Sequence, residues 1–527
     1  MYEAERKRAP LFDMLVNHAD KNAASFHVPG HKQRIAIHED KTAKSMFGPL
    51  LPIDVTELSD TDDLHDASGP ISEAQALAAQ CFGAEETCFL VGGSTAGNLA
   101  MILGVCESGE LLLVQRNVHK SIIHGLALAG VRCVFLAPDL DEQSGIPVAP
   151  GVDTLVPAIA KHPDAKAVIL CSPNYYGMTA NLKHLVDIAH DKGIMVLVDE
   201  AHGAHFGQRP DFPESALQAG ADVVVQSTHK MLGAMTMGAM LHLQGELAPR
   251  DAIRQALRMI QSSSPSYPLL ASLDLARRDL DSSGPNLFDE ALTAAREIRI
   301  GLRHLPFEAL TADDPLKLSL RDPSGRLTGF ALQVKLEERG CLAEMADPVY
   351  AVLALGPGTR LEDGTRLIAA LSDIAKELEA ADSDSTERNR ETREKSGAIH
   401  GEGDQSPEDQ GTDDGSAKVR GSENHYSQGR SSETLSRLGT ASIPEPVVIR
   451  RRISSTTPVP LSSSIGSVCG EWIIPYPPGI PLLYPGEPIT SSVLGELQRL
   501  AKAGARFQGA SDESLRTIRV LTEGKLV

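Results

Sequence analysis

The sequence predicts an α/β fold, with a mostly parallel sheet in a large domain and a smaller α+β domain towards the C-terminus. Three observations predict it. From about residue 85 to 245, short apolar runs alternate with helix-length segments, the pattern of strands covered on both faces. After about residue 275 that alternation loosens. The chain has 527 residues, 42% of them hydrophobic, enough for a large core and more than one domain.

The elements follow in order. Cys88-Phe89-Leu90-Val91 reads as a strand, followed by a Gly-rich turn and a helix around 96–106. A strand at 111–114, a helix near 119–129 and a strand at 131–136 come next. A helix near 153–161, a strand at 167–171, a helix near 181–192 and strands at 194–198 and 222–226 complete the series. Further on, helical patterns near 286–304 and 364–381 flank strand-like runs at 330–334 and 349–355. Residues 383–442 change character: only eight of these 60 are apolar, and 12 acidic against 8 basic residues leave a net charge of −4. Such a stretch buries too little surface to offset the entropy of ordering, so a disordered insertion is expected there. The expected organisation is an N-terminal segment 1–70, a large domain 71–275, the first part of a small domain 276–382, the insertion, and a C-terminal domain 443–527.

Composition narrows the function. The net charge of −20 speaks against a nucleic-acid partner, which calls for a basic face. Seven cysteines without a CxxC pair or zinc spacing fit a reduced, cytoplasmic compartment. A charged N-terminus and no apolar run of membrane-spanning length predict a protein that neither enters nor crosses a membrane.

In a parallel sheet, ligands bind at the carboxyl ends of the strands. Ser227-Thr228-His229-Lys230 follows the run 222–226. Burial lowers an amine's pKa, which suits a lysine that forms a Schiff base; a surface lysine opening a loop is the plain alternative. Asp199 ends the run 194–198, where a carboxylate can keep a pyridine nitrogen protonated as an electron sink. A helix cap or metal ligand is the alternative. The string Asp199-Glu200-Ala201-His202 also resembles a helicase motif, but no GxxxxGK[ST] loop exists in the chain. Gly92-Gly93-Ser94-Thr95-Ala96-Gly97-Asn98 lies between a strand and a helix, where backbone N–H groups and hydroxyls cradle one phosphate. Ser227 and His229 are placed to add hydrogen bonds. His119 follows another strand, and its imidazole can stack on a pyridine ring or serve as a structural residue. The pairs His119/His124 and His202/His205 lack a carboxylate or Cys at zinc spacing, so no metal is expected.

These residues belong to a longer ordered series. It includes Phe26-His27-Val28-Pro29-Gly30-His31-Lys32, Asp62-Asp63-Leu64-His65, Ala74-Gln75-Ala76, the 92–98 and 117–121 segments, and Ser172-Pro173-Asn174-Tyr175-Tyr176-Gly177. It continues through residues 199–206 and 227–230, Ser262-Ser263-Ser264-Pro265-Ser266-Tyr267, and Ile473-Ile474-Pro475-Tyr476-Pro477-Pro478-Gly479-Ile480-Pro481. Over most of its length the chain resembles the Orn/Lys/Arg decarboxylase family of fold-type-I enzymes, in its compact form without an N-terminal wing domain. The resemblance implies pyridoxal 5′-phosphate (PLP) as cofactor, bound as a Schiff base on Lys230. Asp199 would hold the ring nitrogen, His119 and Ala201 the ring faces, and Ser94, Thr95, Ala96, Ser227 and His229 the phosphate. His202 joins Lys230, Asp199 and His119 as a catalytic candidate. Ser263 would reach the phosphate of a neighbouring subunit, which makes a homodimer the minimal assembly. Glu487 and Tyr176 are substrate-contact candidates. The implied reaction converts arginine, lysine or ornithine to its amine and CO2, a step in polyamine biosynthesis. Another PLP reaction on this fold (an aminotransferase, aldolase or cysteine desulfurase) and a catalytically inactive regulator stay open as alternatives.

Overall fold

The computed structural model describes residues 6–34, 40–397 and 443–522, apart from 452, 454 and 477. Seven strands build the main sheet: β1 (Glu86–Leu90), β2 (Leu111–Gln115), β3 (Arg132–Leu136), β4 (Ala167–Cys171), β5 (Met195–Asp199), β6 (Val223–Gln226) and β7 (Ala239–Leu243). Their spatial order is β1-β7-β6-β5-β4-β2-β3, and a two-residue strand, Val447–Val448, closes the β3 edge. The run β3-β2-β4-β5-β6 is parallel. Strand β7 is antiparallel to both β6 and β1, so β1 points the same way as β6. The expected mostly parallel sheet is therefore present, with β7 as an element the apolar-run series had not included.

Alternation along the strands feeds two cores. Leu113, Val168, Val196, Val198 and Val224 belong to one. Leu112, Val114, Ile169, Leu197, Val223 and Val225 belong to the other. Successive side chains point to opposite faces, and here both faces are covered, which is why every residue of β2, β5, β6 and β7 is buried. Truncating one such side chain, for example Leu113→Ala, costs about 2–5 kcal/mol by this chemistry. Helix Gly93–Val105 lies directly on the sheet: a methyl at Gly97 would sit 2.8 Å from Leu90 and Val225. Glycine there brings the helix N-terminus down to the strand ends.

The N-terminal segment is attached to this body. Helix Pro10–Asp20 has no side-chain cap of its own, and Asp274, from helix Tyr267–Ser283, accepts from the backbone N–H groups of Leu11 and Phe12 at 3.0 and 3.4 Å.

The small domain carries a four-stranded sheet of β8 (Glu308–Ala309), β9 (Lys317–Arg321), β10 (Met345–Ala346) and β11 (Ala351–Ala354), in the order β10-β11-β9-β8. Two expectations need correction here. The run 330–334 is not a strand but part of helix Gly329–Glu337. Thr328 caps that helix by accepting from Ala331 N–H, and its buried Leu332 and Leu336 are four residues apart. The helix begun at Leu361 continues to Gly397, so residues 383–397 are helical and not disordered. No Gly or Pro interrupts positions 365–396, and Glu, Arg and Lys are good helix formers. The rest of the expected insertion, 398–442, lies outside the described residues.

The C-terminal unit pairs Thr456–Pro460 with Thr517–Leu521 and Ile474–Tyr476 with Arg506–Gln508. Helix Ser491–Lys502 covers a separate core that includes Cys469, Leu483, Leu497 and Ile518. Of the sequence segment 473–481, Pro477 lies outside the described residues. No described helix is long and apolar enough to cross a membrane.

Candidate active site

The carboxyl ends of β1, β2, β5 and β6 bring the predicted residues together, as the shared direction of these strands requires. Asp199 closes β5 and is 3% exposed. It accepts from Asn98 Nδ2 at 2.8 Å and from Ala201 N–H at 3.1 Å. Burial pushes its carboxyl above the usual range, while Lys230 and the two donors pull it back.

Asn98 uses its second amide hydrogen on Ser121 Oγ at 2.9 Å. Ser121 Oγ then lies 2.8 Å from His119 Nδ1. With Ser121 accepting from Asn98, its own hydrogen goes to His119, and the ring keeps its proton on Nε2. Burial first, and then the charge of Lys230, lowers the His119 pKa to about 4, so the ring is neutral. One hydrogen-bonded chain thus runs from His119 to Asp199. Asn98 and Ser121 had no assigned role from sequence, although both stand inside quoted motifs.

Ser94 Oγ and Ser227 Oγ meet at 2.5 Å. Ser94, Thr95 and buried Ala96 form the first turn of helix Gly93–Val105, whose N-terminus has no side-chain cap. Nearby, Thr228 Oγ1 is buried without a partner. His229 donates from Nδ1 to the Gly238 carbonyl at 2.9 Å.

Lys230 sits in the short helix Thr228–Met231 that follows β6. Its Nζ lies 3.0 Å from His202 Nε2 and 5.8 Å from the Tyr175 ring centroid. Burial lowers its pKa, with Asp199 and Glu344 opposing. On the far side of His202, Lys317 Nζ lies 3.1 Å from Nδ1. Lys317 comes from β9 in the small domain and went unnoticed in sequence, where it reads as one more charge in an apolar run.

Three further predicted residues have partners of their own or lie exposed. Glu487 is tied to Arg116, which donates to its Oε2 at 2.9 Å and to the Pro481 and Leu482 carbonyls at 2.8 and 3.1 Å. Tyr176 donates to Asp347 Oδ2 at 2.5 Å. Both substrate-contact candidates are thus engaged by protein partners. Ser263 is exposed, in a loop whose Ser262 carbonyl meets His65 Nε2 at 2.9 Å. The C-terminal unit does reach the site: the Gly479 carbonyl accepts from Lys120 N–H at 3.1 Å, beside His119. Among the described residues, no group of three or more His, Cys, Asp and Glu could hold a metal.

The donor set fits PLP. An uncapped helix N-terminus with two facing hydroxyls and an orphaned threonine suits a phosphate. A buried carboxylate at a strand end suits a pyridine N–H, and a half-buried amine with a lowered pKa suits an aldehyde.

Comparison with known proteins agrees with this chemistry. Residues 9–312 match the Orn/Lys/Arg decarboxylase major domain, and residues 442–515 match the C-terminal domain of the same family. The "Uncharacterized protein YaaO" of Bacillus subtilis (strain 168) is 39% identical, covering 95% of this chain and 96% of its own. The arginine decarboxylase of the same organism is 32% identical, covering 98% and 99%. The fold is that of the Francisella novicida lysine decarboxylase LdcF, with a TM-score of 0.75 at 19% identity over 97% of this chain and 81% of that one. With the family's domains matched along most of its length, the chain belongs to the Orn/Lys/Arg decarboxylase family and is a PLP-dependent amino-acid decarboxylase.

Proposed function

We propose that the protein removes the α-carboxylate of arginine, giving the corresponding amine and CO2, as a cytoplasmic homodimer serving polyamine biosynthesis. The observation that carries the reading is the meeting of a half-buried lysine amine, a buried carboxylate and an uncapped helix N-terminus at one set of strand ends. Arginine is favoured within the family because the 32%-identical relative spanning nearly the whole chain is named an arginine decarboxylase. The named lysine decarboxylase of Pseudomonas aeruginosa is 25% identical.

When bound, PLP supplies a protonated ring that takes up the electron pair left on Cα as CO2 departs. Lys230 anchors the cofactor. Asp199 holds the proton on the ring nitrogen, and the charge it faces there offsets the desolvation that burial imposes on it. Ser94, Thr95, Ser227 and His229 hold the phosphate, with the backbone at Ala96. His119, kept neutral by burial, covers one ring face without adding a charge that competes with the sink; Ala201 is assigned to the other. Lys230, freed by the substrate amine, or His202 beside it returns a proton to Cα. Ser263 is assigned to a second copy's phosphate. Its exposure supports that assignment, as do exposed Phe26, Met46 and Phe47 in the N-terminal segment, an apolar surface for a partner chain. Seven unpaired cysteines agree with a reducing compartment.

The test is CO2 release from arginine, lysine and ornithine side by side, with Lys230→Ala as the inactive reference. Arginine is expected to lead in kcat/KM by about tenfold or more, a margin that one well-matched polar contact supplies. A preference for lysine would overturn the substrate. Keto acid or sulfide in place of CO2 would overturn the reaction.

A further inference from the structure

Two lysines flank one buried imidazole. Lys230 Nζ lies 3.0 Å from His202 Nε2, and Lys317 Nζ lies 3.1 Å from Nδ1. His202 is 5% exposed and Lys317 is 1% exposed. Burial, and then the charges of Lys230 and Lys317, holds His202 well below the usual imidazole range, so the ring is neutral. A neutral imidazole has one N–H donor and one acceptor nitrogen. The lysine facing the acceptor can donate as an ammonium. The lysine facing the N–H must accept, which only an unprotonated amine can do.

We infer that Lys317 shares one proton with Lys230 through His202, and is thereby a positioning residue that sets when Lys230 is a free amine. This rests on Lys230 being the cofactor lysine. In one state Lys230 is the ammonium, His202 carries its hydrogen on Nδ1, and Lys317 is the amine. The Lys230 proton passes to Nε2 while the Nδ1 hydrogen passes to Lys317. The result is a free amine at Lys230, the Nε2–H form of His202 and an ammonium at Lys317. Two protons have each moved one step, which carries one positive charge from Lys230 to Lys317; no heavy-atom bond has changed, and the total charge is the same. The reverse shift gives Lys230 back a proton to deliver.

The surroundings are built for a cation at Lys317. Asp314 is fully buried, and His205 Nε2 lies 3.1 Å from its Oδ1. Burial alone would raise the Asp314 carboxyl, but His205, the Leu316 N–H and Lys317 outweigh it and hold it below the usual range. Burial lowers Lys317 to about 8, against Asp314 and Glu344, with Lys230 adding repulsion. The remaining groups facing the relay are Asp199, Cys171 and Glu344 around Lys230, and His119 and His229 around His202. Gly177, at φ +84°, makes the slot. A methyl there would meet Lys317 Cγ at 2.7 Å, so the glycine of the Tyr175-Tyr176-Gly177 motif is what admits the lysine.

The test is trace acetylation of the full-length, cofactor-free chain with acetic anhydride across the alkaline range, read at Lys230 by mass spectrometry. Lys317→Met is expected to move the Lys230 midpoint up by about one pH unit, a roughly tenfold loss of labelling near neutrality. Lys317→Gln should do the same if the apolar variant fails to fold. Lys317→Arg, which stays charged and cannot become the amine partner, should hold the midpoint at or below that of the unmutated chain. In a His202→Phe background, the shift from Lys317→Met should shrink to what direct repulsion between the two lysines leaves, because the proton sharing passes through the ring. An unmoved midpoint in both neutral variants, or a shift undiminished without His202, would overturn the inference. Since this readout involves no turnover, a midpoint shift without CO2 release would sink only the decarboxylase reading. CO2 release without the shift would sink only the relay.

Discussion

Of the clusters that hold cations away from water among the described residues, two are built on opposite terms. At the junction of the sheet and the C-terminal unit, Arg116 is 4% exposed, yet all three nitrogens of its guanidinium donate. It grips Glu487 and two carbonyls, and its carbon lies 5.4 Å from both the Phe135 and Tyr484 ring centroids. At the strand ends, Lys230 and Lys317 meet, among the described residues, only a neutral ring by side-chain hydrogen bond, and the carboxylates around them act at longer range. A buried charge with all its partners is fixed, and it holds parts together. A buried charge short of partners has a shifted pKa and a proton ready to move, which is the condition for chemistry.

The largest effect that tests this contrast is on rate. Asp199→Asn keeps the shape at the end of β5 but removes the charge. It should lower kcat for CO2 release about 10³-fold, the upper range for one electrostatic contact. Urea unfolding of the cofactor-free variant should show stability unchanged or slightly raised, because a desolvated carboxylate has been lost. A loss of activity under tenfold would break the distinction at its functional end.

Arg116→Met should show the opposite pattern. Leaving Glu487 buried and unpaired costs about 3–5 kcal/mol, measured by urea unfolding. Replacing both partners, as in Arg116→Met with Glu487→Leu, should recover most of that loss, since the pair is no better than well-packed apolar groups. If the single and double variants were equally unstable, the clamp would owe its role to shape and not to charge.

A smaller effect concerns pH. The folded-state pKa of His119 is about 4, below the ordinary imidazole value of 6.5, because burial disfavours its charged form. Between these values the unfolded chain binds more protons, so stability rises with pH across the window. The contribution is complete above the unfolded value and is lost as pH falls towards the folded one. Near pH 5 the loss is about 2 kcal/mol. His119→Asn in the cofactor-free chain should flatten that acid arm in urea midpoints. An unchanged slope would mean the ring is protonated in place.

The difference between the clusters also explains what could be read from sequence. Lys230, Asp199, His119 and the 92–98 turn each follow a buried apolar run, and strand ends are visible wherever such runs stop. The partners of these groups were not. His202 and Lys317 lie 115 positions apart, and Arg116 and Glu487 lie 371 apart. No local pattern reports such pairs, and the resemblance that made Glu487 a substrate-contact candidate said nothing of Arg116 beside it. The run 330–334 alternates like a strand, but its helix is set by the Thr328 cap and by Leu336, just past the run. Strand β7 is as apolar as its neighbours, and its antiparallel direction follows from the short connection after Lys230, which no crossover helix fills.

The weakest case sharpens the contrast most. Lys161 and Glu445 form an ion pair at 2.8 Å, as short as the 2.9 Å between Arg116 and Glu487. Distance therefore does not separate them; solvent does. Glu445 is 82% exposed in the pair, and Glu487 is 14% exposed. In water the two charges are solvated before and after they meet, and salt screens what attraction remains. Glu445→Gln should leave the urea midpoint where it stands in the unmutated chain, at low salt and at high salt alike. A midpoint that fell as far as that of Arg116→Met would show that pairing geometry, and not burial, sets what a charge contributes here.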